Sequence, residues 1–253
     1  MRERVISGVY IALVTIISCL WGGFLFKLVC FLIALWSAYE INKLVEDGFD
    51  KILYAITALS IFLITFYKKY EYTILLEPVI LSSYAVFKEK VRFSDVTMLT
   101  FMSIVVGNAL RYFMVFEQFN RYMFGYIIII AYITDACAYF VGYKFGKHKL
   151  NERISPKKTI EGFVGGWLGG CVLSLIWALC FHFFKVNPWV FIIGSIVLPF
   201  VSQIGDLIFS MIKRFYGIKD FSKLIPGHGG ILDRLDSLIT ITLVLAVIWN
   251  ILA

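Results

Sequence analysis

The chain predicts an all-α polytopic integral membrane protein with about nine transmembrane helices, and three observations predict it. Of 253 residues, 60% are hydrophobic and 16% charged, with a mean hydropathy of +0.84, whereas a soluble domain carries far more charge. The apolar residues are gathered into long runs, and about 20 helical residues cross a hydrocarbon core of about 30 Å. The polar stretches between the runs are loop-sized, well below the roughly 50 residues of an independent domain. Residues 1–253 therefore read as a single membrane domain, with the spans of 1–120 as scaffold and 121–253 carrying the chemistry.

Apolar runs and charged breaks place the spans at roughly 5–22, 24–39, 52–67, 73–87, 97–115, 122–143, 162–184, 189–212 and 235–252. The first follows Met1-Arg2-Glu3-Arg4 and imitates a secretory signal. Its run exceeds a typical apolar signal core, no A-x-A-like site follows and further spans come directly after, so it reads as a real span. Trp21-Gly22-Gly23 turns the first two spans into a tight hairpin, while the third and fourth are short for a full crossing. In the seventh, Gly162, Gly165, Gly166, Gly169 and Gly170 recur at three- and four-residue spacing. That puts them on one face, as close packing of membrane helices requires. The five cysteines, Cys19, Cys30, Cys137, Cys171 and Cys180, lie inside apolar runs without a C-x-x-C pairing and read as small buried hydrophobes.

Charge sets the orientation. With the N-terminus inside, 18 of the 24 basic residues fall in cytoplasmic pieces, so the positive-inside rule favours a cytoplasmic N-terminus and an outer C-terminus. The two polar loops, 144–161 and 213–234, then share the cytoplasmic face. The net charge of +7 belongs beside anionic membrane lipid, not nucleic acid.

An acid inside a span is costly and marks a site or a pathway. Asp206 is the first such residue. Gln203, Asp206, Ser210 and Lys213 follow one another along one helical face, and an Asp206–Lys213 pair that only joins helices is the plainer alternative. Asp135 is a lonelier case, either polar glue or a supporting acid. In the following loop, Gly227-His228-Gly229-Gly230 can present a nest of backbone N–H groups just before the ninth helix, whose free N–H groups and dipole also favour an anion. Lys213, Arg214, Lys219, Lys223 and Arg234 surround it. Asp233 and Asp236, three apart, can cap that helix or hold Mg²⁺ while substrate phosphates complete the shell. His228 is a candidate for phosphate binding or proton transfer, whereas His148 and His182 read as interfacial. The segment Arg153-Ile154-Ser155-Pro156-Lys157-Lys158-Thr159-Ile160-Glu161 adds a second basic loop.

The run Ser210, Lys213-Arg214, Lys219-Asp220, Ser222, Ile225-Pro226-Gly227-His228-Gly229-Gly230, Asp233-Arg234, Asp236 resembles the signature of the phosphatidate cytidylyltransferases, the CDP-diacylglycerol synthases. Ser155-Pro156-Lys157-Lys158-Thr159 and Asp135 through Tyr139 are similar to that family as well, over roughly 125–240. The resemblance implies a multi-pass enzyme of the bacterial inner membrane, with its active site facing the cytoplasm, that joins CTP to phosphatidate. It also implies a requirement for Mg²⁺, with room for a second cation, and it leaves room for a homodimer. The expected metal ligands are Asp206, Asp233 and Asp236, which with Lys213 form the catalytic set. Ser155, Lys157, Lys158, Ser210, Arg214, Lys219, Asp220, Gly227, His228, Gly229, Gly230 and Arg234 are expected to bind substrate. Phe209 departs from the pattern, because many relatives carry an acid before the serine.

Two other readings stay open. A CDP-alcohol phosphotransferase also uses aspartates on CDP-linked lipid, but its longer D-x-x-D-G pattern is missing after Asp236-Ser237. A cation-coupled transporter would use Asp135 and Asp206 as a path, which leaves the glycine-histidine cluster unexplained.

Overall fold

The computed structural model describes residues 17–18, 21–45, 48–181, 183, 187–225, 227 and 229–252. Among them, eight α-helices follow in order: α1 (Gly23–Asn42), α2 (Lys51–Phe66), α3 (Glu71–Phe87), α4 (Phe93–Phe119), α5 (Arg121–Phe145), α6 (Ile160–Cys180), α7 (Pro188–Phe215) and α8 (Leu232–Leu252). Between α5 and α6 lie two short strands, β1 (Lys149–Asn151) and β2 (Ser155–Thr159), paired antiparallel with Lys149 opposite Thr159. This hairpin is the one departure from the expected all-α class among the described residues. The expected first span falls mostly outside them.

Helices α1, α4, α6, α7, α8 and Tyr122–Phe145 of α5 are long and apolar enough to cross a membrane, six candidates among the described residues. The nine expected crossings are not all met. Helices α2 and α3, of 16 and 17 residues, are about 25 Å long at the usual rise, short of a full hydrocarbon core.

Local chemistry explains where the helices begin. Asp50, Asn120, Thr159 and Asn187 precede α2, α5, α6 and α7 and accept from the backbone N–H groups of Ile52 and Leu53, Tyr122, Gly162 and Trp189 respectively. Each occupies donors that a helix start leaves unpaired. Pro188 at the first turn of α7 lacks an N–H that would otherwise be wasted. At the break read at Trp21-Gly22-Gly23, Gly22 and Gly23 both have positive φ, 61° and 53°, a conformation that favours glycine; the first arm of the expected hairpin lies mostly outside the described residues.

The chain forms two compact units. One contains the chain up to Gln118 together with Asp220–Arg234; the other contains Phe119–Lys219 and Leu235–Ala253. In the first, α2 lies against α1 and α3, and Gly107 of α4 has no room for a side chain, since a Cβ there would sit 2.8 Å from Ile64. The Asp50 cap is reinforced by an ion pair to Lys88 and by the Tyr84 hydroxyl at 3.1 Å. Burial raises the Asp50 carboxyl, but the hydrogen bonds from Lys88, Ile52, Leu53 and Tyr84 prevail and hold it below its ordinary value. Chiefly through its hydrogen bond to Asp50, Lys88 is pushed up to about 12.

In the second unit α5, α6 and α7 pack together. The glycine face of α6 does what its spacing requires. A Cβ on Gly162 would lie 2.7 Å from the Ala138 carbonyl oxygen, and one on Gly166 would lie 2.7 Å from Ala138 Cβ. Backbone therefore approaches backbone between α5 and α6. The other side of α6 exposes Leu168, Val172, Ile176 and Leu179, as a lipid-facing surface would.

Candidate active site

A cavity of about 510 Å³ opens in the second unit. Helix α5 contributes Asp135, Tyr139, Gly142 and Tyr143, and the hairpin contributes Lys149, Lys157, Lys158 and Thr159. Helix α6 adds Gly162 and Phe163, and α7 adds Gln203 and Asp206. Acids, lysines and aromatic rings thus converge in a volume suited to a small molecule.

Asp206 is the centre of this arrangement. Its Oδ2 lies 2.5 Å from Lys158 Nζ, with each side chain a little over a quarter exposed. The contact is an ion pair and not an aligned hydrogen bond, because Lys158 Nζ has no partner in hydrogen-bonding geometry. Ser210 Oγ, one turn later, donates to Asp206 Oδ1 at 3.2 Å. Gln203, one turn earlier, donates to the Phe163 carbonyl at 2.9 Å and ties α7 to α6. The stripe read from the sequence is real, but Asp206 takes its cation from the hairpin.

Lys213 is buried, and its charge reaches Asp236, which also feels Asp206 and Asp135. Asp135 therefore belongs with Asp206 and Asp236 in one acidic region of the second unit. Among the described residues, no group of three or more His, Cys, Asp or Glu side chains is arranged to hold a metal ion. Mg²⁺ asks less, one or two carboxylates with water and substrate phosphates completing the shell. Asp206 and Asp236 supply that number, so the residues fit the ion.

The hairpin is tied down from α6. Glu161 accepts the backbone N–H groups of Lys147 and His148, and the His148 ring lies 2.6 Å from its Oε1. His148 thus anchors the hairpin that presents Lys157 and Lys158. Ser155 sits opposite Asn151 in the strand pairing, and Lys157 is exposed. Lys219 and Asp220 are exposed as well, while Arg214 donates to the Ile218 carbonyl at 2.8 Å, closing the end of α7.

The rest of the signature belongs to the first unit, and there the structure differs from the expectation. Gly227 and Gly229 adopt positive φ, 75° and 85°, as a tight turn demands. Two donors of the expected anion nest, those of Gly229 and Gly230, and the first N–H groups at the start of α8 are, however, occupied within the chain. Gly229 N–H bonds to the Ile225 carbonyl, Gly230 N–H to Asp233 Oδ2 at 2.9 Å, and Ile231 and Leu232 N–H to the two oxygens of Glu40 at 2.8 and 2.9 Å. The helix start does attract an anion, and that anion is the protein's own carboxylate. Asp233 Oδ2 also accepts from Phe221 N–H at 2.8 Å; Asp233 lies inside the first turn of α8 and braces the preceding turn, so it is not the N-cap foreseen as an alternative. Arg234 is exposed. His228 and His182 lie outside the described residues.

Sequence reasoning missed Glu40. It lies one residue past the second expected span, in the last turns of α1, with 0% exposure, and an acid at the edge of an apolar run is readily taken for the polar end of a span. Phe209, where the resemblance leads us to expect an acid, is fully buried and takes an apolar place on α7.

Residues 2–252 match the profile of a family described as "Cytidylyltransferase family". The chain is 30% identical over 246 residues to a phosphatidate cytidylyltransferase of Staphylococcus haemolyticus (strain JCSC1435), covering 94% of each chain. It is 31% identical over 254 residues to a protein of the same name from Bacillus subtilis (strain 168), covering 94% of this chain and 93% of the relative.

Proposed function

The chain belongs to the cytidylyltransferase family, and from that premise we propose that it condenses CTP with phosphatidate to give CDP-diacylglycerol and pyrophosphate. The observation that carries this reading is the cavity where Asp206 and Asp135 meet Lys149, Lys157 and Lys158. A reaction between two polyanions needs such a mixture, with cations for phosphate and carboxylates for a divalent ion.

In the reaction, a phosphate oxygen of phosphatidate forms a bond to the α-phosphorus of CTP. The bond from that phosphorus to the bridging oxygen breaks, and its electron pair leaves with pyrophosphate. Lys157 and Lys158 bind the phosphates of CTP from the hairpin, and buried Lys213 offsets the negative charge around Asp236. Such fixed charge, aimed at where charge develops, is a large part of catalysis of this kind. Asp206 and Asp236 would hold Mg²⁺, which supplies phosphate neutralisation and activation of the α-phosphoryl group. Asp233, Gly227, Gly229 and Gly230 shape the start of α8, and Ser210 orients Asp206. Tyr139 and Tyr143 give the cavity flat apolar faces against which a pyrimidine can rest.

Counted over the nine expected spans, the bias of basic residues favours an N-terminus inside, a C-terminus outside and a cavity facing the cytoplasm. The multi-pass apolar helices and the bacterial relatives support an inner-membrane location. There phosphatidate keeps its acyl chains in the bilayer while CTP arrives from the aqueous side.

Purified protein in detergent, given phosphatidate, labelled CTP and Mg²⁺, should form CDP-lipid and one pyrophosphate per turnover. No metal-dependent CDP-lipid would refute the proposal, and release of CMP from CDP-lipid would favour the phosphotransferase reading.

A further inference from the structure

We infer that Glu40, in the N-terminal half of the chain, is a positioning residue for the transfer reaction, acting through the Asp220–Arg234 segment. The inference rests on the functional reading above. Glu40 and its hydrogen-bond partners Ser222, Ile231 and Leu232 lie together in the first unit.

Three donors converge on this carboxylate. Ser222 Oγ donates to Oε1 at 2.6 Å, Ile231 N–H to Oε1 at 2.8 Å, and Leu232 N–H to Oε2 at 2.9 Å. The partners are 182 to 192 positions away in sequence. A side chain at Gly230 would collide with the same carboxylate, its Cβ falling 2.7 Å from Glu40 Cδ. Glycine at 230 and glutamate at 40 are thus complementary: one leaves the space that the other fills. Glu40 is fully buried, and a carboxyl group is tolerated in such a place when hydrogen bonds and a helix start compensate it.

The physical consequence is a fixed entry into α8. Ile231 immediately precedes that helix and Leu232 opens it, where the N–H groups have no partner in the helix itself. With Glu40 on those donors and Asp233 on Phe221 and Gly230, the glycine turn has both of its exits pinned. Removing Glu40 frees the turn and the helix entry, while Asp206, Lys157 and Lys158 in the second unit keep their own contacts.

The test compares Glu40→Ala, Glu40→Gln and Ser222→Ala with Glu77→Gln, a control at another buried carboxyl of the first unit. Wild type is assayed first, and absence of CDP-lipid there refutes the functional reading and leaves amide exchange to judge the positioning. Exchange at Ile231 and Leu232 should quicken at least about tenfold in Glu40→Ala, the loss of hydrogen bonds to a carboxyl group. Unchanged exchange overturns the inference. With active wild type, kcat should fall at least about tenfold in Glu40→Ala and recover in part in Glu40→Gln, which keeps one acceptor oxygen. Glu77→Gln should stay within about twofold even if it melts at a similar temperature. Activity in Glu40→Ala within twofold of wild type, or an equal loss in Glu77→Gln, overturns the assignment. If Glu40→Ala does not fold, Ser222→Ala decides: a severalfold lower kcat at unchanged melting temperature supports it, and an unchanged kcat overturns it.

Discussion

Replacing Lys158 by Met separates chemistry from architecture at the centre of the cavity. The lysine nitrogen lies 2.5 Å from Asp206 Oδ2, and at an effective dielectric near 20 the Coulomb attraction at that separation is about 7 kcal/mol. Desolvation and partial water access oppose most of it, and a pair of this exposure contributes about 1–3 kcal/mol net. Methionine keeps the apolar stem and removes the charge, so Lys158→Met should lower the melting temperature by several degrees, at roughly 2–4 °C per kcal/mol for a chain of this size. Asp206→Asn should cost a similar amount, and the double variant less than the two together. Activity should behave differently. Loss of a charged contact to substrate phosphate is worth about 1.5–3 kcal/mol, a fall of roughly 10- to 150-fold in kcat/KM for CTP, and the double variant should not regain it. Pyrophosphate release and thermal melts in the same detergent measure both quantities. If Lys158→Met keeps its turnover within twofold while its stability falls, the lysine only joins the hairpin to α7 and the phosphate role is wrong.

Three further outcomes follow from the same contacts. Asp236→Asn should abolish turnover with little change in melting temperature, whereas Asp233→Ala should cost about 3 kcal/mol of stability because two backbone donors lose their acceptor; thermal melts beside kcat distinguish them. Gly166→Val should destabilise the protein by about 1–3 kcal/mol or more, since a Cβ there already meets Ala138 and the Thr134 carbonyl. At Asp50, whose carboxyl is held below its ordinary 3.8, a depressed value means that its stabilisation is full above that ordinary value and fades as pH falls through the folded one. The difference in melting temperature between wild type and Asp50→Asn, followed from pH 7 down to 3, should therefore be flat at first and shrink below about pH 4.

The helices were legible because hydropathy acts over short distances, and the caps that the structure adds are just as local. Asp50, Asn120, Thr159 and Asn187 start helices where their side chains can reach the next turn, and the α6 glycines face α5 as their spacing requires. The hairpin was not legible, since Lys149–Asn151 and Ser155–Thr159 are too short and too polar to show an alternating pattern. At the site, the Gln203-to-Lys213 stripe was visible as a helical period, but its ion-pair partner was not, because Lys158 comes from a different part of the chain. For the same reason the loop glycines looked like a vacant anion nest. The carboxylate that answers the helix start comes from Glu40, and sequence spacing carries no information about a partner nearly two hundred residues away.

Part of the cavity wall, at Gly142, Gly146 and Gly162, has no side chain. A wall of bare backbone has no rotamers to reshuffle, so it cannot be remodelled by substitution without prising two helices apart. Variation in what the cavity accepts must therefore be written on side chains of its lining outside the ion pair, Tyr139 and Tyr143 foremost. A library confined to those positions would sample the substrate range of this scaffold while leaving its frame intact.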